Sequence, residues 1–236
     1  MPKTKKNSNY VTDKTIKAKA DREAAARKKK IKKTLKPVLC TTLIVLLIVG
    51  AILGIGAACG MFRYHPEVTH HININVEYKG DTHVLHIELY GKDAPETVET
   101  FVKNASENYY DNQTFHTFLN GLFYGGNEGA EGLTYNGTDY YVKGEFSANG
   151  HENKIKHERG ILSMSRGEAY DSGFGQFFIV TEDAPSLDGY YAAFGRVTDG
   201  MDFIDEVLAE LTFDNNGRIA KEDRPIIKSI TVHAAH

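Results

Sequence analysis

Ten histidines, serines at 163, 165 and 172, and a surplus of carboxylates are the residues of this 236-residue chain whose types could do chemistry. A metal site would need histidines and carboxylates at ligand spacing. His65, His70 and His71 crowd one short segment, while His83 and His86 stand three apart in an extended pattern and so project to opposite faces. No histidine pair has helical i, i+4 spacing beside a carboxylate, and no metal site is expected. Ser163, Ser165 and Ser172 lack the strand–turn–helix elbow that presents a nucleophile, and spacing identifies no general base. Glu145, Glu152, Asp171 and Asp188 could form carboxylate pairs, but an acidic domain produces such pairs by chance. "GGNEGAEG" has neither the lysine nor the following helix of a phosphate loop. Cys40 and Cys59 are the only cysteines, and both lie in an apolar run, so the rest of the chain has no thiol chemistry.

What remains is apolar. Phe115, Phe123, Met164, Phe178, Leu187, Tyr191 and Phe194 fall on separate runs. The stretch Gln113–Glu128, "QTFHTFLNGLFYGGNE", carries Phe115, Phe118, Phe123 and Tyr124 with three glycines and one histidine, and no ionised residue before Glu128. Such a texture suits a core or a groove, and composition does not separate the two.

The elements that must position these residues follow an α+β pattern. "HININVEY" and "THVLHIELY" read as strands around the turn "KGD". In "KDAPETVETFVKNASENYYDN", Asp93 is the expected N-cap and Pro95 suits the first helical turn. Val98, Phe101, Val102 and Ala105 repeat there at helical spacing. Short strands are expected at Thr114–Leu119, Leu122–Gly125, Gly160–Ser165, Gln176–Thr181 and Tyr191–Val197, and a last one in "RPIIKSITVHA". "GMDFIDEVLAEL" is a second amphipathic helix, with Met201, Ile204, Leu208 and Leu211 on one side. Eight strands and two helices predict a mostly β domain: a closed antiparallel barrel with a helix over each end. The long loop Glu128–Glu158 is of a length that usually carries function.

Charge divides the chain. Residues 1–37 hold 14 Lys/Arg against Asp13, Asp21 and Glu23, whereas the remainder holds 14 basic and 28 acidic residues. Between them lies Pro37–Phe62, 26 residues without a charge, enough to cross a hydrocarbon core that needs ~20 helical residues. Lys28, Lys29, Lys30, Lys32, Lys33 and Lys36 precede it, which by the positive-inside rule keeps the N-terminus cytoplasmic. The expected organisation is a basic cytoplasmic arm (1–36), a single transmembrane helix (37–62), a linker (63–71) and an extracytoplasmic domain (72–236). A cleaved signal peptide is disfavoured by the long charged preamble. Lipidation at Cys59, after the small residues of "GAACG", is the alternative anchor, although Gly56 stands where lipobox-like sequences prefer a larger aliphatic residue. Attraction to anionic lipid accounts for the basic arm, and no nucleic-acid partner is expected.

"GEFSANGHENKIKHERGILSMSR", "GQFFIV" and "SLDGYYAAFGRVTDGMDFIDEV" resemble the cyclophilin family of peptidyl-prolyl cis-trans isomerases, particularly its bacterial branch. The similarity runs from about Thr82 to Val232, in family order, with nine residues between Arg166 and Gln176. The resemblance implies an eight-stranded barrel with two capping helices and a proline-binding groove on its outer face. It implies no cofactor. Peptide-bond rotation meets a barrier of ~18–20 kcal/mol from C–N resonance, and an enzyme need only bind the twisted amide better than either planar form.

By resemblance, Gln176 is a hydrogen-bonding groove residue, Phe178 the pocket floor and Leu187 the pocket wall, with Tyr191 where animal members often have histidine. Ser165 and Arg166 line the groove for residues preceding proline, and Leu122 and Phe123 form the aromatic and methionine-like pocket pair. The family pattern F-H-R-x-x-x-G-F-x-x-Q-G-G-D becomes "FHTFLNGLFYGGNE" here, with Thr117 at the arginine position. Without a gap, Gly125 stands at the glutamine; a one-residue slip puts Tyr124 there. Losing a preorganised donor costs on the order of 3–4 kcal/mol of transition-state stabilisation, with Arg166 or His116 as partial replacements. The expected function is isomerisation of X–Pro bonds in exported proteins, weakened by Thr117; the alternatives are a proline-binding module with little turnover and a bare scaffold.

Overall fold

The computed structural model describes residues 64–128 and 141–235, together with 18–19, 21–23, 27–30 and 50 and the backbone of 134–135 and 138–139. The chain divides into two units, Met1–Arg63 and Tyr64–His236. In the first, residues 18–19, 21–23 and 27–30 are helical and exposed. The apolar run 37–62, Gly50 apart, lies outside the described residues, and so does Cys59. Among the described residues no helix is long and apolar enough to cross a membrane.

The second unit is built on ten strands and two helices: β1 (His70–Tyr78), β2 (Asp81–Leu89), α1 (Pro95–Ser106), β3 (Thr114–Leu119), β4 (Leu122–Gly126), β5 (Thr134–Tyr135), β6 (Thr138–Asp139), β7 (Ile161–Met164), β8 (Gln176–Val180), β9 (Ala193–Asp199), α2 (Met201–Glu210) and β10 (Ile226–Ala234). Eight strands close an antiparallel barrel in the order β1-β10-β3-β4-β8-β7-β9-β2, and β5 pairs with β6 as a separate two-stranded ribbon inside the long loop. β1 begins at His70, so the last two residues of the expected linker belong to the barrel. Tyr64 fastens the segment before it, donating its hydroxyl to Asp93 Oδ1 at 2.8 Å.

Strand alternation sorts the side chains. Phe118–Phe123–Ile179–Leu162 and Phe115–Gly125–Phe177–Met164 are cross-strand rows that face the interior. Phe115 and Phe123 stack there at 4.6 Å. From α1, Phe101 enters the same core with ring centroids 5.0 Å from Tyr110, 5.6 Å from Phe177 and 5.3 Å from Phe194. From α2, Ile204 and Val207 join it. Val207, outside the expected apolar stripe, is as deeply buried as Ile204, while Met201 and Leu208 lie at the margin.

Pro95 opens α1 as expected, but Asp93 does not cap it: the position before Pro95 is Ala94, and no cap side chain bonds the helix. The first-turn amides of Glu96 and Thr97 instead donate to the buried Glu145 carboxylate, at 2.9 and 2.8 Å. Asp93 Oδ1 accepts from Tyr64, and its carboxylate makes no hydrogen bond to the helix.

The β3–β4 hairpin turns on two residues, Asn120 (φ 52°) and Gly121 (φ 75°), both left-handed as a tight hairpin of this hand requires. That turn sets the register: Leu119 opposite Leu122, Phe118 opposite Phe123, Thr117 opposite Tyr124. Along its other edge β3 meets β10 only at Thr114–Ile226. The rest of that edge is covered by the segment 213–219, where Phe118 N–H donates to Gly217 O (2.7 Å) and Ile219 N–H to His116 O (2.9 Å). Only glycine permits this approach, because a Cβ at position 217 (φ +74°) would lie 2.2 Å from Phe118 O.

Candidate functional site

On the outer face of the barrel, the register aligns Thr117, Tyr124, Phe178 and Ser163 on four successive strands, β3, β4, β8 and β7. Phe178 is the centre of this row. Tyr124 packs on it at 5.4 Å and Tyr191 edge-on at 5.6 Å. Leu122 and Leu187 complete a second apolar cluster, distinct from the barrel interior. Phe178 is wholly buried beneath these side chains.

The same register corrects the expectation for Phe123. Its ring is in the interior core, stacked on Phe115, and cannot line an outer groove. Gly125 also faces inward, since a Cβ there would meet the Phe115 ring at 2.8 Å. The outward side chains of β4 are therefore Leu122 and Tyr124. The short turn brings Tyr124, and not Gly125, opposite Thr117.

Beneath Phe178 lies a buried polar chain that spacing alone did not reveal. Ser163 Oγ donates to His157 Nε2 (3.0 Å), and His157 Nδ1 donates to Asp188 Oδ1 (3.1 Å). The order matches a hydrolytic Ser-His-Asp triad, but Ser163 has no exposed surface, so its hydroxyl can reach no substrate. The chain acts as a support: the His157 ring lies nearly parallel to Phe178 at 6.3 Å. No sequence spacing announces it, because three separate segments contribute.

At one end of the row, Gln176 is held on both sides of its amide. Ser165 Oγ donates to its Oε1 (2.7 Å), and its Nε2 donates to Asn127 O (2.9 Å). Gln176 Nε2 also faces His116 Nε2 at 3.3 Å, and His116 Nδ1 donates to Thr117 Oγ1 at 2.9 Å. Ser165 is thus buried and committed to Gln176.

Neither candidate replacement for the missing cation is in a position to act. Arg166 is half-buried on the far side of the groove, its guanidinium 4.6 Å from the Tyr191 ring, 4.9 Å from Tyr170 and 5.3 Å from Phe146. It donates to the carbonyls of Tyr190 (3.1 Å) and Gly167 (3.0 Å), so its guanidinium is already engaged. His116 is close, but burial lowers its pKa to about 4, so it is neutral at pH 7.

His157 is likewise shifted downward, first by burial and against the pull of Asp188. These two histidines make stability depend on pH with a definite sign. The unfolded chain takes up protons near pH 6.5, whereas the folded chain refuses them until lower pH, so stability is complete above about pH 6.5 and falls below it. By pH 5 the loss from His116 alone is expected to reach about 2 kcal/mol. Urea unfolding at pH 7.5 and pH 5 measures it; equal midpoints would contradict the assignment.

Two further histidines pack locally: His83 stacks on Phe203 at 4.0 Å, and His86 pairs with Asn73 Oδ1 at 2.8 Å. The described residues thus assemble an apolar outer groove with an aromatic floor, an amide and hydroxyls at one end, and no nucleophile open to a substrate.

The fold has known counterparts. A crystal structure of a Cryptosporidium parvum cyclophilin type peptidyl-prolyl cis-trans isomerase superposes with TM-score 0.59 at 26% identity, covering 72% of this chain and 100% of its own. A second structure of that protein, in the presence of the dipeptide Ala-Pro, gives 0.58 at 27%, covering 70% of this chain and 99% of its own. Peptidyl-prolyl cis-trans isomerase B of Bacillus subtilis is 38% identical over 144 residues, 61% of this chain and 92% of the relative. The Escherichia coli protein of the same name is 35% identical over 156 residues, 62% of this chain and 92% of the relative. The model of the cyclophilin type peptidyl-prolyl cis-trans isomerase/CLD family matches residues 72–232, from the first buried residue of β1 to the end of the barrel. An outer groove that offers shape and donors but no reactive group is what rotation about a peptide bond requires, and the chain belongs to the cyclophilin-type peptidyl-prolyl cis-trans isomerases.

Proposed function

We propose that this isomerase acts on X–Pro bonds of exported proteins, by noncovalent stabilisation of the twisted amide, at a rate lowered by Thr117. The observation that carries the reading is the outer row Thr117–Tyr124–Phe178, which joins an aromatic floor to a threonine where the donor should stand. Proline has no N–H and presents an apolar ring, which suits a seat on the outer cluster built over Phe178, among Leu122, Tyr124, Leu187 and Tyr191. Gln176, Ser165 and Arg166 border the path of the residues before proline. The Ala-Pro dipeptide in the Cryptosporidium structure supports a proline-containing ligand here. In the twisted amide, resonance is lost and the nitrogen lone pair becomes a hydrogen-bond acceptor; a hydroxyl as short as that of Thr117 supplies less than a charged donor could.

Export rests on the charge asymmetry about the apolar run 37–62, with the basic arm inside and the acidic domain outside. Membrane attachment is by that run, or by lipid on Cys59. Protease added outside intact cells should degrade the acidic domain, and its survival there would contradict the topology.

The catalytic test is a protease-free isomerisation assay on an X–Pro peptide with wild type and Thr117→Arg. The variant is expected to raise kcat/KM at least tenfold, within the range of a recovered transition-state donor. No gain over an active wild type would show that Thr117 limits nothing. A second reading, a proline-binding module with little turnover, is favoured by Tyr124 and Tyr191 lying over Phe178. It would be upheld if wild type bound the peptide without accelerating its isomerisation.

A further inference from the structure

The row Thr117–Tyr124–Phe178 does not end at Thr117. Arg218 pairs with Thr117 in an antiparallel bridge on the opposite side of β3. Directly opposed residues of an antiparallel pair project to the same face, so Arg218 shares the outer face with Thr117, Tyr124 and Phe178. We infer that Arg218 supplies the cationic hydrogen-bond donor to the twisting prolyl amide, from the strand beside the one that carries Thr117. The inference rests on the isomerase reading above.

Reach permits this. Opposed Cα atoms in such a pair are ~4.5–5.5 Å apart, and an arginine side chain is longer than that spacing. Threonine is far shorter than arginine, so at position 117 it takes up less of the outer face than an arginine there would, and Arg218 projects to that same face.

The segment is also held in place rather than draped. Asp214 Oδ1 accepts the amides of Asn216 and Arg218, both at 2.8 Å, and Asp214 N–H donates to Arg218 O at 3.0 Å. The hydrogen bonds on either side of the bridge, Phe118 N–H to Gly217 O and Ile219 N–H to His116 O, lock the register of Arg218 against β3. A donor so fixed needs little reorganisation when charge develops.

The guanidinium is available. Arg218 is exposed and forms no ion pair among the described residues, whereas its neighbour Arg224 is paired with Glu128 at 2.7 and 3.1 Å. The charge of Arg218 is felt at the groove end of β3, where it helps keep His116 unprotonated. Arg166 is bound elsewhere and His116 is neutral, so Arg218 is the cation that the register brings to this row.

The test uses the full-length chain and a short X–Pro peptide, with isomerisation followed by exchange NMR and peptide affinity measured in parallel. Arg218→Gln, which keeps length and polarity, is expected to lower kcat at least tenfold while peptide affinity changes less than twofold. Arg218→Lys, which keeps the charge, is expected to retain more activity than Arg218→Gln. Adding Thr117→Arg to Arg218→Gln is expected to restore at least the wild-type rate, an outcome that a merely structural role for Arg218 would not give. Unchanged kcat in Arg218→Gln, with wild type active, would overturn the inference and leave the isomerase reading standing. A wild type that binds peptide but never exceeds the solvent rate would overturn both.

Discussion

Phe178→Ala is expected to lower kcat/KM for X–Pro isomerisation about a hundredfold or more, and to weaken binding of proline peptides in step. The ring is the common contact of Tyr124, Tyr191 and His157, on an outer cluster that also holds Leu122 and Leu187. Removing it takes away the support under Tyr124, Tyr191 and Leu187, the side chains on which an apolar ring would rest. A hundredfold fall in rate corresponds to about 2.7 kcal/mol of lost transition-state stabilisation, and truncation of a buried phenylalanine costs about 3–5 kcal/mol of folding stability. The same truncation also lowers fold stability, because Phe178 has no exposed surface. Phe178→Leu separates the two effects. It fills most of the volume, so its unfolding midpoint should stay near wild type while its activity still falls about tenfold. Full activity in folded Phe178→Leu and Phe178→Ala would show that the proline seat lies elsewhere.

Much of this was readable from residue order alone, and the parts that were not share a cause. The eight barrel strands follow from alternation, since Ile72, Ile74 and Val76 or Leu85, Ile87 and Leu89 face one side in steps of two. Thr117 stands out because the motif keeps Phe115, His116 and Gly121 around it while the arginine between them is replaced. Tyr124 was undecided because its facing depends on the length of the turn: a two-residue Asn120–Gly121 hairpin makes it an outer residue and turns Phe123 inward. One residue of register flips every side chain on the strand, and "FHTFLNGLFYGGNE" permits either reading. His157 and Arg218 were missed for another reason. Each matters through a partner on a distant segment, Ser163 and Asp188 for one and Thr117 for the other. Local periodicity cannot report such pairings. Asp93 was taken as the helix cap on the same local logic, and lost to a carboxylate delivered from a loop.

That carboxylate carries a stability effect as large as any core truncation: Glu145→Ala should lower the unfolding free energy by about 3–5 kcal/mol. Glu145 is 2% exposed and accepts the amides of Glu96 and Thr97, 49 and 48 positions away in the chain. The first amides of a helix have no partner within it and carry its partial positive charge. One carboxylate satisfies two of them and is itself solvated by them, so the alanine variant leaves two donors unpaired at about 1–3 kcal/mol each. Glu145→Gln should be intermediate, because its amide can offer one acceptor but turns a donor toward the second N–H. The consequence extends to the groove, since Phe146 follows Glu145 directly and packs against Arg166 and Tyr170. Urea unfolding of the two variants measures the first effect, and peptide affinity below the transition measures the second. A loss under 1 kcal/mol in Glu145→Ala would mean that water or a rearranged Asp93 can cap α1 in its place. A large loss with unchanged peptide affinity would confine Glu145 to the helix and detach it from the groove.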